Sequence, residues 1–122
     1  MLKIYVAAPY STGNQAHNVK AAIRMGDFLA SHGFAPFIPH LTHFWDMMYP
    51  QAYAWWLSYD LEWLKHCDAL IRIPGESPGA EKEVEFARKN KIPVFIMQNE
   101  FDFGTHMISF LNECKVNSMA KQ

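Results

Sequence analysis

The sequence predicts a single α/β domain, a three-layer sandwich in which a parallel sheet of four to five strands is covered by helices on both faces. Two observations carry this. Short runs rich in β-branched and aromatic residues alternate with stretches of helical period, and the runs are apolar on both faces instead of alternating with polar residues. The length agrees, because 122 residues bury one core but not two. Residues 1–114 are expected to form the domain, and 115–122, "KVNSMAKQ", a frayed tail.

The run "LKIYVAAP" (Leu2 to Pro9) is the first strand, punctuated by the polar loop "YSTGN". From Asn14 to Ser31 the apolar residues, Ala22, Met25 and Leu29 among them, keep helical spacing, and Gly33 stands at a C-cap position. "FAPFIP" reads as a short second strand despite its prolines, and "HLTHFWDMMYP" as an aromatic loop or short helix. A second long helix follows, from about Gln51 to His66. "DALIRIP" is the third strand, Ser77 to Asn90 a helix, "IPVFIM" the fourth strand and "THMISFLNEC" the last helix. This is a flavodoxin-like or Rossmann-like arrangement, in which ligands bind beyond the carboxyl ends of the strands. Four loops therefore bound the search: "APYSTGN", "PHLTHFW", "PGESPG" and "QNEFDFG".

Composition narrows the partners. A net charge of −1 with half the residues hydrophobic argues against disorder and against a basic surface for a nucleic-acid polymer, leaving small molecules. Two cysteines, Cys67 and Cys114, without a CxxC pair, suggest a reducing compartment and packed thiols. The N-terminus lacks a signal-peptide layout, and no apolar run approaches the roughly 20 residues of a membrane span, so a soluble cytoplasmic protein without membrane contact is expected.

Two carboxylates stand out against this background. At 100° per residue the inward stripe of the Ser77–Asn90 helix is Ala80, Val84 and Ala87 with Phe86 beside it, and Glu83 falls within it. Glu81, Lys82, Glu85, Arg88 and Lys89 lie opposite, as an ordinary solvated face. Asp60 has Trp56 at i−4, Trp63 at i+3 and Leu64 at i+4, with no helical ion-pair partner, whereas Glu62 has Lys65 and His66. Poorly hydrated acids of this kind suit bond cleavage at a sugar carbon, one attacking the anomeric carbon while the other handles a proton. The ordinary account of both is a helix acid whose side chain bends past its neighbours to water. Ser77-Pro78-Gly79 starts its helix with a serine cap and a proline at the first position, a geometry that also suits a phosphate, although Ser-Pro begins many helices without a ligand.

These residues resemble the nucleoside 2-deoxyribosyltransferase family, which includes the 2′-deoxynucleoside 5′-phosphate N-hydrolases. The resemblance runs through "IYVAAPYS", "YDLEWLKHCDALI", "SPGAEKEVEFA" and "THMI". Its most specific parts are D-L-E-W-L with Asp68 eight residues after Asp60, and the S-x-G-x-x-x-E pattern of Ser77, Gly79 and Glu83. It implies that Glu83 is the nucleophile, that Asp60 assists departure of the base, and that Tyr5, at the end of strand one, orients the nucleophile through its hydroxyl. Serine at position 77, where the transferases carry an acid, favours the hydrolase branch, because an acid repels phosphate and a helix N-terminus attracts it. Thr105 in "THMI" is then expected to reach the phosphate of a neighbouring subunit, implying a homodimer with shared active sites. The chain departs from the hydrolases after strand one, where Pro9, Tyr10 and Ser11 replace a glycine-rich, arginine-containing loop; Ser11 remains able to donate to a small anion.

The resulting expectation is hydrolysis of the N-glycosidic bond of a nucleoside 5′-monophosphate, without cofactor or metal. The alternatives are base exchange by a transferase, and a nucleotide-binding or sensing module without turnover. His40-Leu-Thr-His43 lacks a third ligand at a recognised spacing, so His40 is expected to line the base pocket beside Phe44, Trp45 and Trp55. Arg72, late in an apolar strand, is expected to lean into solvent.

Overall fold

A run of β-branched and aromatic residues makes KIYVA the natural centre of a sheet. In the computed structural model, which describes residues 1–120, it forms β1 (Lys3–Ala7), paired in parallel with β2 (Ala35–Phe37) on one side and β3 (Ala69–Arg72) on the other. β4 (Val94–Ile96) pairs with β3, giving a four-stranded parallel sheet in the order β2-β1-β3-β4. Pro36 is tolerated because β2 is an edge strand, where a missing amide hydrogen breaks no ladder.

Alternation along β1 divides the molecule into two cores. Ile4, Val6 and Ala8 face α1 (Gln15–Ser31) and α5 (Thr105–Ala120), where Met25, Leu29, Met107 and Leu111 close an apolar layer. Tyr5 and Ala7 face the opposite way, toward α3 (Tyr53–Leu64) and α4 (Pro78–Lys89), with Leu64, Ala80, Val84 and Ala87. α1 is capped as its sequence requires. The Asn14 side chain accepts from His17 N at 3.0 Å, and Gly33 takes the positive φ of 85° that ends the helix. Gly26 lets α1 press onto Ile38, whose side chain a Cβ at that position would overlap.

The aromatic stretch after β2 becomes a 3-10 turn at Pro39–Thr42 and a short helix, α2 (His43–Met48), before α3 begins at Tyr53. α5 runs past the buried Cys114 to Ala120, into the stretch expected as a tail, with the Lys115 ammonium 4.7 Å from the Phe34 ring centre. The final two positions of that expected tail lie outside the described residues. No helix among the described residues is long and apolar enough to cross a membrane.

The strand order reverses between β1 and β3, and the loops after these two strands meet there. Gly75, at φ 127°, makes the meeting possible, because a Cβ would stand 2.7 Å from Pro9 Cγ.

Candidate active site

Beyond that reversal point lies a cavity of about 520 Å³. Its walls come from the loops after β1, β2 and β3 together with the facing sides of α3 and α4; the fourth expected loop, "QNEFDFG", takes no part. Glu83 and Asp60 both line it, so the two anomalous acids converge on one space from neighbouring helices.

Ser77 sets the start of α4, its Oγ accepting from Ala80 N at 3.1 Å with Pro78 at the first helical position. This phase turns Ala80, Glu83, Val84 and Ala87 inward together. Glu83 is only 6% exposed, and the Tyr5 hydroxyl donates a short hydrogen bond to its Oε2. Tyr5 stands at the middle of β1, not at its end as expected, and is fully buried. It stacks on Phe37 with ring centres 5.5 Å apart, and Phe37 stacks in turn on Trp63, so the phenol direction is fixed by packing.

Loss of hydration dominates the electrostatics. Burial raises the Asp60 carboxyl to about 7, and Asp60 Oδ1 is buried with no hydrogen-bond partner among the described residues. Burial likewise raises Glu83 to about 8, opposed by the Tyr5 hydrogen bond, reinforced by the Asp60 charge and opposed again by Arg72. Tyr5 is pushed well above the usual phenol range, first by burial and then by the Glu83 charge, and so remains a donor. Between about 7 and 8 the two acids together hold about one proton, mostly on Glu83, whose value is the higher; the arrangement with Glu83 ionised and Asp60 protonated is the minor placement of that shared proton.

His40 is buried and lines the cavity, with Nε2 2.8 Å from the Pro9 carbonyl. A carbonyl only accepts, so Nε2 carries the hydrogen and Nδ1 presents a lone pair, which has no partner. Burial lowers the His40 pKa and keeps the ring neutral. His43 is hydrogen-bonded to the Tyr10 hydroxyl. Among the described residues no group of three or more His, Cys, Asp or Glu side chains is placed to hold a metal.

Ser11, Ser77 and Gly79 also line the cavity. Gly79 leaves room for the Tyr53 hydroxyl, which would stand 3.0 Å from a Cβ there. Thr105 lies outside the cavity, exposed at the start of α5. Of the rings expected around the base pocket, Phe44, Trp45 and Trp55 do not reach it; Tyr10, Tyr53 and Trp56 do. Arg72 is corrected as well. It is buried, not solvated, and its guanidinium donates to the Ile73 and Gly75 carbonyls and to Glu81 Oε1, fastening the turn between β3 and α4. Asp46 is the lining carboxylate that sequence reasoning missed, although it is the one carboxylate in the aromatic run from His40 to Tyr59.

A family model described as a domain of unknown function, DUF7768, matches residues 2–97. No curated protein matches the chain. Among solved structures, a 2-deoxyribosyltransferase of the psychrotolerant bacterium Bacillus psychrosaccharolyticus, described as a biocatalyst for the synthesis of antiviral and antitumoral nucleosides, is similar with a TM-score of 0.61. That likeness spans 87% of this chain and 79% of the other at 21% identity, which establishes a common fold.

Proposed function

The chain belongs to the DUF7768 family, a domain of unknown function, and from its cavity we propose that it cleaves the N-glycosidic bond of a nucleoside and transfers the sugar to a second base. The observation that carries this is the buried Glu83, held by the Tyr5 hydroxyl and sharing one cavity with Asp60. A Glu83 oxygen attacks C1′ of the sugar while the bond from C1′ to the base nitrogen breaks. The bonding pair leaves with the base, which takes a proton from Asp60. The product is a glycosyl ester on Glu83. A second base then attacks C1′ and gives its proton to Asp60, releasing the carboxylate. Positive charge on the sugar ring in both transition states is stabilised by the carboxylates that line the cavity.

Transfer to a base is preferred to hydrolysis of a 5′-monophosphate for two reasons. The structural neighbour is itself a 2-deoxyribosyltransferase. Among the described residues the cavity is lined by three carboxylates, Asp46, Asp60 and Glu83, and by no lysine or arginine, a poor environment for a phosphate dianion. Hydrolysis of the N-glycosidic bond of a 5′-monophosphate remains the second reading because Ser77 and Gly79, at the N-terminus of α4, do line the cavity. Exposed apolar side chains on α2, Phe44, Met47 and Met48, offer a surface that a second copy would cover in a homodimer, measurable as a doubled mass by light scattering.

The test mixes purified protein with a 2′-deoxynucleoside and a different free base, and in parallel with 2′-deoxynucleoside 5′-monophosphates, following products by chromatography. Base exchange is expected, falling by about 10⁴-fold or more in Glu83→Ala. Base release from the monophosphates alone selects the hydrolase, binding without any product selects a sensing module, and exchange that survives Glu83→Ala removes the nucleophile assignment.

A further inference from the structure

Asp46 is built into the cavity with unusual care for a residue outside the helices that carry the two acids. Both of its protein hydrogen bonds fall on the same oxygen: the Trp56 indole N–H donates to Oδ1 at 2.5 Å and the Gln51 amide to the same atom at 3.1 Å. The carboxylate is thereby locked in rotation, and no hydrogen bond of the described residues engages Oδ2. Trp56 is itself held by edge-on contact with Trp45, ring centres 5.0 Å apart, so the clamp has a rigid base. A second acceptor on the cavity wall is equally idle, the buried Nδ1 of His40. Oriented acceptors without protein donors complement a ligand that brings N–H groups of its own.

The position of Asp46 identifies the part of the ligand. Trp56 precedes Asp60 by four residues, about one helical turn or roughly 6 Å along α3. The Asp46 carboxylate lines the same cavity as Asp60 and is bonded to Trp56, the residue one turn before the acid that protonates the leaving base, on the α3 side. The sugar ring must meet Glu83, on α4. A base extending from C1′ past Asp60 brings its far edge toward Asp46.

We propose that Asp46 reads the exocyclic amino group of the leaving base through Oδ2, making the site selective for amino-bearing bases over their oxo counterparts. This rests on the nucleoside-cleaving function proposed above. An amino group donates to the carboxylate, whereas an oxo group sets two acceptors against each other, and a site built to bind a donor discriminates strongly against a substrate lacking it.

Asp46→Asn separates the readout from the architecture. Its Oδ1 still accepts from Trp56 and Gln51, while an NH₂ donor replaces Oδ2. Wild-type protein is expected to favour 2′-deoxyadenosine over 2′-deoxyinosine, and 2′-deoxycytidine over 2′-deoxyuridine, by about tenfold or more in kcat/KM. Asp46→Asn should shrink or invert each ratio by at least about tenfold. Ratios that Asp46→Asn leaves unchanged, or a wild type that favours the oxo bases, overturn the assignment. If no nucleoside is turned over, the proposed function fails, and calorimetry with free adenine and hypoxanthine decides the residue alone. An adenine preference lost in Asp46→Asn sustains the amino-group readout; equal binding, or none, overturns it.

Discussion

The two faces of the sheet are built from the same strands yet finished differently. On the α1 and α5 side, Ile4, Val6, Met25, Leu29, Ile71, Met107 and Leu111 close an apolar layer. On the α3 and α4 side, the side chains that alternate with these along β1 include Tyr5, and the layer it enters contains Glu83 within hydrogen-bonding reach. One residue of register on β1 thus separates a face that only stabilises from a face that holds a buried acid at a cost in hydration. A marginally stable domain tolerates that cost because the first face is complete.

If this division of labour is real, the strongest perturbation of stability lies on the apolar face. Leu29→Ala should lower unfolding free energy by about 2–5 kcal/mol, the range for a buried leucine that leaves a cavity. Denaturant titration measures it. At a temperature where the variant remains folded, its kcat on a nucleoside should match wild type, because nothing on that face touches Glu83 or Asp60. A parallel loss of kcat would break the comparison.

The next effect in size is on chemistry. Tyr5→Phe removes the hydroxyl and keeps the ring that stacks on Phe37. The hydrogen bond from Tyr5 is what holds the Glu83 pKa down against burial, so its loss raises that pKa above about 8 and depletes the attacking carboxylate at neutral pH. Activity at pH 7 should fall about 10- to 100-fold, equivalent to about 1.4–2.7 kcal/mol. In wild type the pH profile should be a narrow bell: activity is lost below about 7, where Glu83 and Asp60 are both protonated, and above about 8, where no proton remains for the base. Tyr5→Phe should move the alkaline limb, set by the higher value on Glu83, to higher pH while the plateau drops. A simple drop with no displacement of the limb would mean that Tyr5 only packs.

The contrast between the faces also governs what the sequence disclosed. The periodicity of α4 and its Ser-Pro-Gly start were readable because cap, stripe and charged face all lie within one turn or two of each other, and Glu83 stood out as the acid inside the stripe. Asp60 was readable for the same local reason. From His40 to Tyr59 the pattern is obscured, since aromatic residues occur on every side and erase the helical period. Asp46 was missed there because its meaning depends on Trp56, ten residues away on another helix. Arg72 misled for a related reason: its local run ends in a strand, and only the folded turn supplies the Ile73 and Gly75 carbonyls and Glu81 that make burial of a guanidinium acceptable. The apolar face needed no such long-range information, because any well-packed set of aliphatic residues with the right period makes one.

The smallest effect is the sharpest test, because its sign is opposite on the two faces. Glu83 has a folded-state pKa of about 8 against an unfolded value near 4.5. A carboxyl whose pKa is raised on folding binds more protons in the folded than in the unfolded chain throughout that window, so stability falls as pH rises through it. Below about pH 4 both states are protonated and the penalty vanishes; above about 8 it is fully developed. Glu83→Gln carries no such charge. It should therefore equal wild type in stability at acid pH and exceed it at pH 8, the direction expected on removing a functional group held against its preference. Thermal melts of both proteins from pH 4 to 8.5 measure the divergence. Every truncation on the α1 side should destabilise at all of these pH values, so a Glu83→Gln curve that runs parallel to wild type would mean the acid is hydrated in solution, and the distinction between the two faces would be lost.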